Sequence, residues 1–477
     1  MPPPILLTSR RDITLDVLHA VAWEGRGVTI APEALERMER CHASFDELVR
    51  QRVAADPDAL IYGITTAAGD GAAVVLTPER QARRTTRLWT GASFGEPLPE
   101  RVVRAIVLAR LANFIDGHSA ARAEVGAAIA AMLEPGGEPL PIVPAQGNGG
   151  AGEILPLGRL FHRLSTKLAL SAKERMALIN GSPCSAALVA DIALAARGRL
   201  ALAERVFALS AEAIGAPDEA YAADLEPLWD DEHETAALAG LRSLLADGPR
   251  VRQSHQAPVS FRILPRVLGA ARRALQVAER AASTSLRSVT DNPVYIPPDA
   301  ERPLGTILSN GGYHNAQAPA ALDGVTLALT DLCQLAERHV DQLFQHASTA
   351  PLLGTDEWSI KSVHHAQNWW AEESRSLAQP TVLSLAGFGQ NDVPSLSFLA
   401  WRKAVGAGRC LDGAMAVLAG VASQALHVGG RGAGPALEGF VAEVREHFPP
   451  VDETLDHPIG EDFGALMDAF SRRVLDY

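Results

Sequence analysis

The sequence predicts an all-α protein built as a bundle of long helices. Long segments place apolar residues at helical spacing and are rich in alanine, leucine, arginine and glutamate, which are strong helix formers. Several of these segments exceed the usual length of a globular helix, which favours a bundle of long rods. Strand and helix patterns do not alternate along the chain, and this argues against a doubly wound α/β sheet.

Seven segments carry the helical pattern clearly. In chain order they are 101–133, 155–179, 185–211, 262–285, 316–344, 363–378 and 398–425. Among the connectors, five are richer in glycine and proline than a bundle needs: 62–71, 135–152, 257–258, 291–312 and 384–394. Long connectors of this kind are more often functional loops than simple links. The acidic stretch 216–234 lacks the helical pattern and is interpreted as a solvated link.

Composition restricts the function classes. The chain has 477 residues, of which 47% are hydrophobic and 21% charged, and its net charge is −13. This acidic balance argues against nucleic acid and anionic membrane as partners, because both require basic surface. The four cysteines are scattered, no signal-peptide pattern opens the chain, and no uncharged apolar run of about 18 residues is found. These features predict a cytoplasmic protein.

Three familiar motifs can be set aside. Residues 147–152 spell GxGxxG, but two prolines interrupt the segment before them and no acidic residue closes a βαβ unit, which excludes a dinucleotide fold. The fourteen histidines include no HExxH or other recognised ligand spacing, so no metal site is predicted. The hydrolase signature GxSxG is also absent.

A series of loops, taken together, resembles the histidine, phenylalanine and tyrosine ammonia-lyases. The matches follow the order of that family from about residue 60 to residue 404. They are IYGITTAAG at 61–69, GHSAAR at 117–122, the loop 141–157, ALING at 177–181, SFR at 260–262 with VLGA at 267–270, TDNP at 290–293, the loop 311–314, ER at 337–338, Glu373 and QND at 390–392.

The resemblance implies an all-helical fold of the ammonia-lyase and fumarase kind. Residues 1–200 are then expected to form a smaller N-terminal domain that carries the tyrosine loop and the cofactor loop, and 201–477 the long-helix bundle. Members of that family are homotetramers whose active sites combine loops from three subunits, so a homotetramer is expected here. They use methylidene-imidazolone (MIO), an electrophile made autocatalytically from an internal Ala-Ser-Gly in which serine supplies the methylene carbon.

The corresponding loop of this chain lacks the serine. It reads GNGGAGEILP from Gly147, one residue shorter than the family pattern, and it has Gly150, Ala151 and Gly152 at the degenerate cofactor position. Without a hydroxymethyl group the methylidene cannot form, so no cofactor is expected. One alternative stays open, namely a converted serine that is missing from the written sequence.

The resemblance also assigns roles to retained residues. It implies catalytic roles for Tyr62 as general base, Arg262 as the clamp for a substrate carboxylate, Asn180 and Tyr313. A planar guanidinium suits a clamp because it binds a carboxylate in bidentate geometry. For Arg262, a buried ion pair with Glu373 is the structural alternative.

The predicted substrate-binding residues are Trp89, Thr90, Glu373, Gln390 and Asn391. Departures from the family pattern surround the same pocket. Val259 stands where the family has a catalytic tyrosine, and the Trp89-Thr90 pair lacks the histidine of histidine- and tyrosine-selective members. Arg287 replaces an asparagine, and Asn391 supplies an amide in the late loop.

These observations predict a lyase that acts on a small, amino-acid-like carboxylate by proton abstraction at Tyr62 and without MIO. Elimination, the reverse addition and a related condensation are all compatible with the residues. Two alternatives stay open: a conventional aromatic amino acid ammonia-lyase, if the serine is missing from the written sequence, and a non-catalytic protein that binds a ligand in the same pocket.

Overall fold

A computed structural model describes residues 2–77, 91–248, 256–346, 349–350, 353–354, 359–383, 389–452 and 455–475. The prediction of an all-α fold is confirmed. The helices are α1 (Leu15–Ala22), α2 (Pro32–Ala55), α3 (Glu100–Ile115), α4 (Ala123–Ala131), α5 (Ile154–Lys167), α6 (Ala172–Ile179), α7 (Pro183–Ile214), α8 (Glu226–Trp229), α9 (Glu232–Leu245), α10 (Val259–Arg262), α11 (Leu264–Arg287), α12 (Gln317–Gln345), α13 (Val363–Leu377), α14 (Ser397–Val428), α15 (Pro435–His447) and α16 (Ile459–Leu475).

Strand structure in the described residues consists of three short pairs. β1 (Ile5–Leu7) lies parallel to β2 (Val28–Ile30). The other two pairs are antiparallel, β3 (Phe94–Pro97) with β4 (Pro144–Gln146) and β5 (Val294–Ile296) with β6 (Thr306–Leu308). None of these pairs extends into a larger sheet.

Two predicted helices are each broken in the structure. The segment 101–133 divides into α3 and α4, because Gly117 between them has φ +84°, a left-handed conformation that ends a helix. A Cβ atom at Gly117 would lie 2.4 Å from the Cys41 sulfur, so only glycine fits there. The segment 155–179 divides into α5 and α6, and Ser171 starts α6 with a capping box to Glu174.

The acidic stretch 216–234 is the clearest correction to the predicted links. It contains short 3-10 turns at Asp218–Tyr221 and Ala223–Leu225, the helix α8 and the start of α9. Tyr221 within it is 1% exposed. The local sequence lacks helical periodicity because its turns are short, but one aromatic side chain is part of the core.

The chain forms two compact units, each made of three segments. The first comprises Met1–Asp191, Glu279–Ala320 and Thr381–Trp401, and the second Ile192–Ala278, Ala321–Pro380 and Arg402–Tyr477. The division predicted from sequence, 1–200 and 201–477, cuts the chain only once. Later segments therefore join the N-terminal part in the first unit.

The core of the first unit includes α3, which is buried on nearly every side. A helix that is apolar around its whole circumference is typical of a core position. Three polar side chains nevertheless lie on α3 in the interior, namely Arg104, Arg110 and Asn113. Buried polar groups need partners, and the carbonyl oxygens of Val21 and Leu133 accept hydrogen bonds from Arg104.

The second unit is a bundle of long helices. Within it Arg199 of α7 forms a two-pronged ion pair with Asp412 of α14, at 2.9 and 2.8 Å. Two stretches pass a simple length and hydropathy test for membrane-spanning helices, 172–214 and Ser397–Val428, but 94% and 83% of their apolar windows are buried inside the protein. Such burial is typical of core helices.

Candidate active site

A cavity of about 440 Å³ in the first unit brings together loops that are distant in sequence. This volume is in the range of sites for small organic ligands. Six residues predicted from the sequence line it: Tyr62, Ala151, Asn180, Tyr313, Gln390 and Asn391. Described residues of four predicted loops, 62–71, 135–152, 291–312 and the part 389–394 of the last one, therefore line one cavity.

Tyr62 lies in a loop whose backbone is fixed from inside. The hydroxyl of Thr65 accepts a hydrogen bond from the Ile61 amide at 2.8 Å, and that of Thr66 accepts one from the Gly63 amide at 3.3 Å. Both threonines are buried. The Gly69 amide donates a hydrogen bond to the Tyr62 hydroxyl oxygen at 3.0 Å. The phenol is thus held at the cavity wall by its own loop.

Asn180 follows the last residue of α6 and is 4% exposed. Its Nδ2 donates to the Asn292 carbonyl oxygen at 2.8 Å, and its own carbonyl oxygen accepts from Nη1 of Arg110 at 2.7 Å. These bonds fix both the side chain and the backbone of Asn180. Burial lowers the pKa of the Arg110 guanidinium, while the nearby Asp291 and Glu153 oppose that shift.

Three further polar residues of the cavity wall were not identified from sequence: Asn292, Ser309 and Asn310. The Asn292 Oδ1 accepts hydrogen bonds from the Asn310 amide at 2.9 Å and from the Ser309 hydroxyl at 3.3 Å. In the sequence, Asn292 precedes a proline and Asn310 precedes a glycine. Such pairs are typical of turns, so the sequence alone gives no reason to expect a second role for these asparagines. Their second role becomes visible only when the two loops lie side by side.

The degenerate cofactor loop forms one edge of the cavity. Ala151 lines it, and Gly150 is fixed by a hydrogen bond from the Ser395 amide to its carbonyl oxygen at 3.0 Å. Gly152 has φ +69°, and a Cβ atom there would lie 2.5 Å from the Oδ1 of Asn180. Gly152 therefore lets the loop approach Asn180, and the side chain this loop presents to the cavity is the Ala151 methyl group.

Glu153 is the buried anchor of the same loop. Its carboxylate accepts the backbone amides of Cys184 and Ser185 at 2.7 and 2.8 Å, at the start of α7, and it also contacts the Ser185 hydroxyl. A carboxylate at the N-terminus of a helix satisfies free amides and interacts favourably with the helix dipole. Burial nevertheless raises the pKa of Glu153 to about 7, although these hydrogen bonds oppose the rise.

The raised pKa of Glu153 predicts a pH dependence of stability. Between about pH 4.5, the ordinary pKa of a glutamate in an unfolded chain, and about pH 7, the folded protein holds a proton that the unfolded chain has lost. The free energy of unfolding therefore falls as the pH rises through this window, by up to about 3 kcal/mol from this one group. Urea denaturation at several pH values measures how steeply the free energy of unfolding falls with pH, and Glu153→Gln should make this slope smaller. Glu36→Gln, at an exposed position on α2, is the control; an unchanged slope in Glu153→Gln would contradict the assignment.

The remaining predicted residues are not in the first unit or are not described. Trp89 and Thr90 lie outside the described residues. Arg262 and Glu373 belong to the second unit. Arg262 is half-buried and its Nε donates to the Ala257 carbonyl oxygen at 3.0 Å, whereas Glu373 is exposed and accepts from the Trp369 indole at 3.0 Å. Among the described residues, no ion pair joins Arg262 to Glu373, so the structural alternative for Arg262 is not observed.

No group of three or more histidine, cysteine, aspartate or glutamate side chains is placed to hold a metal ion in the part of the chain that the structure describes. The chemistry available in the cavity is that of two phenols and several amides. Such a set can orient a polar ligand, and a phenol can accept or donate a proton.

The chain is similar in sequence to known proteins. A family model for aromatic amino acid lyases matches residues 13–167 and 162–446. The histidine ammonia-lyase of Symbiobacterium thermophilum is 30% identical to this chain over 96% of its length and 94% of the relative's.

Solved structures are similar over almost the whole chain. The tyrosine aminomutase of Streptomyces globisporus has a TM-score of 0.84 and 24% identity, and covers 99% of this chain and 97% of its own. The ergothioneine-degrading enzyme ergothionase of Treponema denticola, in complex with desmethyl-ergothioneine sulfonic acid, has a TM-score of 0.87 and 18% identity, and covers 99% of both. The helical fold and the relatives define a lyase of the ammonia-lyase superfamily. Within it, the chain belongs to the aromatic amino acid lyase family.

Proposed function

We propose that this lyase acts on a small, amino-acid-like carboxylate, that Tyr62 takes the proton, and that the reaction proceeds without MIO. The observation that carries the proposal is the shared cavity of Tyr62, Asn180 and Ala151. The first two match the family pattern, while the third presents a methyl group where the cofactor precursor would need a hydroxymethyl group. The residues present therefore do not fit MIO, and no step is assigned to it.

Without an electrophile the leaving group must be better than that of an ordinary amino acid. A base can remove a proton from a primary ammonium group, which then becomes a neutral amine and leaves poorly. A quaternary ammonium group has no such proton, so it remains a cationic leaving group at every pH. We infer that substrates of this kind, amino-acid betaines, suit the site.

The proposed elimination is balanced as follows. The oxygen of the Tyr62 phenolate takes the β-proton and becomes the neutral phenol, the electrons of that C–H bond form the carbon–carbon double bond, and the C–N bond breaks with its electrons on nitrogen. A neutral tertiary amine leaves and an unsaturated carboxylate remains. Arg262 is proposed to bind the carboxylate, and Gln390 and Asn391 to contact the rest of the substrate. The homotetramer implied by the family and the cytoplasmic location predicted from the sequence features belong to the same proposal.

Two observations support a betaine as the substrate class. The cavity has two tyrosine rings, Tyr62 and Tyr313, and aromatic faces attract quaternary ammonium groups. One structure of the same fold is that of an ergothioneine-degrading enzyme, and ergothioneine is a trimethylammonium betaine of a sulfur-substituted histidine.

The test is a panel of L-histidine, L-phenylalanine and L-tyrosine with their N-trimethylated counterparts. We expect release of trimethylamine from at least one betaine, at least about 100-fold faster than release of ammonia from its parent, since about 3 kcal/mol of barrier difference suffices. Intact mass and near-ultraviolet absorbance of the same preparation check the cofactor, because mature MIO would appear as the loss of two waters. Ammonia release together with that loss would identify a conventional ammonia-lyase instead. Binding without turnover of any compound would favour the non-catalytic alternative.

A further inference from the structure

Arg262 is carried by a very short helix of the second unit. α10 spans only Val259–Arg262, and a helix of four residues has no stability of its own. Val259 on it is 58% exposed, whereas Phe261 is fully buried. The direction in which Arg262 points therefore depends on what holds α10 from the buried side.

Two buried side chains hold the backbone of α10. The Tyr221 hydroxyl donates to the Phe261 carbonyl oxygen at 3.0 Å, and Nε2 of His339 lies 3.2 Å from the Ser260 carbonyl oxygen. Tyr221 is 1% exposed and His339 is fully buried. Successive carbonyl groups of the short helix are thus each bonded to a different core side chain, one from the 216–234 stretch and one from α12.

The hydrogen bonds determine the tautomer of His339. A carbonyl oxygen can only accept, so Nε2 carries the proton, and Nδ1 accepts from the Ser210 hydroxyl at 2.7 Å. Burial lowers the pKa of His339 to about 3, so the ring is neutral. The ring also stacks on Phe261, with centroids 3.7 Å apart and an interplanar angle of 20°.

Arg262 is rigidly linked to this segment. Its Nε donates to the Ala257 carbonyl oxygen at 3.0 Å, so the plane of the guanidinium follows the backbone just before α10. Its Nη atoms have no hydrogen-bond partner among the described residues. A shift of α10 would therefore change where those Nη atoms meet a ligand.

We infer that His339 and Tyr221 are positioning residues for Arg262, and that they set the preference of the protein for a carboxylate over its neutral analogue. The inference rests on the proposed function, in which Arg262 binds the substrate carboxylate. It adds a device that acts through the backbone: a neutral imidazole and a phenol, both inaccessible to solvent, fix the clamp.

The test uses variants that keep an aromatic ring at each position. His339→Phe keeps an aromatic ring against Phe261 but removes the donor to Ser260, and Ser210 can then donate to the Phe207 carbonyl oxygen, 2.8 Å away. Tyr221→Phe removes only the hydroxyl group. Tyr295→Phe is the matched control, because Tyr295 is also fully buried and donates to a carbonyl oxygen, that of Leu304 in the first unit.

The first measurement needs no ligand. Hydrogen exchange of the peptide covering 257–266 should be about tenfold faster in His339→Phe and in Tyr221→Phe, because each loses one buried hydrogen bond, and unchanged in Tyr295→Phe. Unchanged exchange in both variants would overturn the inference. If one variant fails to fold, the other decides.

The second measurement compares the affinity of the protein for urocanate with its affinity for the neutral carboxamide of urocanate. Urocanate is the unsaturated carboxylate that the proposed elimination would leave from the betaine of histidine. We expect the preference for the carboxylate to fall about tenfold in each positioning variant, to disappear in Arg262→Ala, and not to fall further when His339→Phe is added to Arg262→Ala. A preference that survives in both positioning variants but disappears in Arg262→Ala would overturn the inference alone. A preference for the carboxylate that survives in Arg262→Ala, or that the unaltered protein lacks, would count against the proposed binding of the carboxylate by Arg262. In that case the hydrogen-exchange result still decides whether His339 and Tyr221 hold α10.

Discussion

Tyr62→Phe is expected to reduce turnover by about 100- to 10,000-fold, the usual contribution of a positioned general base. The substitution removes one oxygen atom and keeps the ring that lines the cavity. Affinity for the substrate should stay within about threefold, because the ring still contacts the ligand and only the proton acceptor is lost. Single-turnover rates and calorimetric affinities on the best betaine of the panel measure the two quantities separately.

Two other tyrosine-to-phenylalanine variants make this result specific. Tyr313 lines the same cavity, and Tyr295 is a buried tyrosine bonded to Leu304. Tyr295→Phe should behave like the unaltered protein, and Tyr313→Phe should affect affinity more than rate. A Tyr62→Phe protein that turns over normally would show that another group takes the proton. The circular dichroism spectrum of Tyr62→Phe checks that the protein still folds without the hydrogen bond from the Gly69 amide to the Tyr62 hydroxyl.

The sequence predicts much of the site because the site is made of loops with unusual composition. A glycine-rich connector in a helical protein has no structural need for its length, and four such connectors supply the walls of one cavity. Tyr62, Ala151 and Asn180 were predicted to meet there from the order of motifs. Asn292 and Asn310 were missed because their pairs with proline and glycine already have a local explanation as turns.

The sequence predicted the fold class correctly, but it predicted less well where individual helices end. The segment 101–133 read as one helix, but Gly117 has a left-handed backbone that ends the first helix, and only the closeness of the Cys41 sulfur shows why this position must be glycine. Tyr221 was assigned to a solvated link because the acidic stretch 216–234 lacks the helical pattern, but its side chain is buried. In both cases the deciding interaction is with a residue at least 40 positions away, which local patterns do not contain.

A buried ion pair is the largest feature that no sequence pattern indicated. Lys173 of α6 and Asp291 of the TDNP segment are 118 residues apart in the chain, and Nζ of the lysine lies 2.5 Å from Oδ2 of the aspartate. Their side chains are 2% and 0% exposed. Burial lowers the pKa of the lysine ammonium group, and the negative charge of Asp291 opposes that shift. The ion pair helps to fix the cavity wall, because Asn292, which directly follows Asp291 in the chain, lines the cavity.

Lys173→Met is therefore expected to destabilise the protein by about 3–5 kcal/mol, the usual effect of removing one partner of a buried ion pair. Methionine fills most of the volume of lysine, so the loss comes mainly from the uncompensated charge of Asp291 and not from a cavity. Thermal and urea denaturation followed by circular dichroism measure the change. The affinity of the cavity for its ligand should fall at the same time, since Asp291, the residue next to Asn292, is no longer held by Lys173.

The double variant Lys173→Met/Asp291→Asn separates charge from packing. An asparagine at 291 is neutral and close in shape to aspartate, so the double variant should be more stable than Lys173→Met alone, although it lacks one more native group. The same recovery should not occur for the exposed pair Lys167 and Glu138, where Lys167→Met should leave the denaturation midpoint almost unchanged because solvent screens both charges. A Lys173→Met protein that loses less than about 1 kcal/mol, or a double variant less stable than the single one, would mean that the Asp291 charge is balanced by another group. Arg110 is the candidate for that group, because it is fully buried and its pKa responds to Asp291, and adding Arg110→Met would then restore the expected loss.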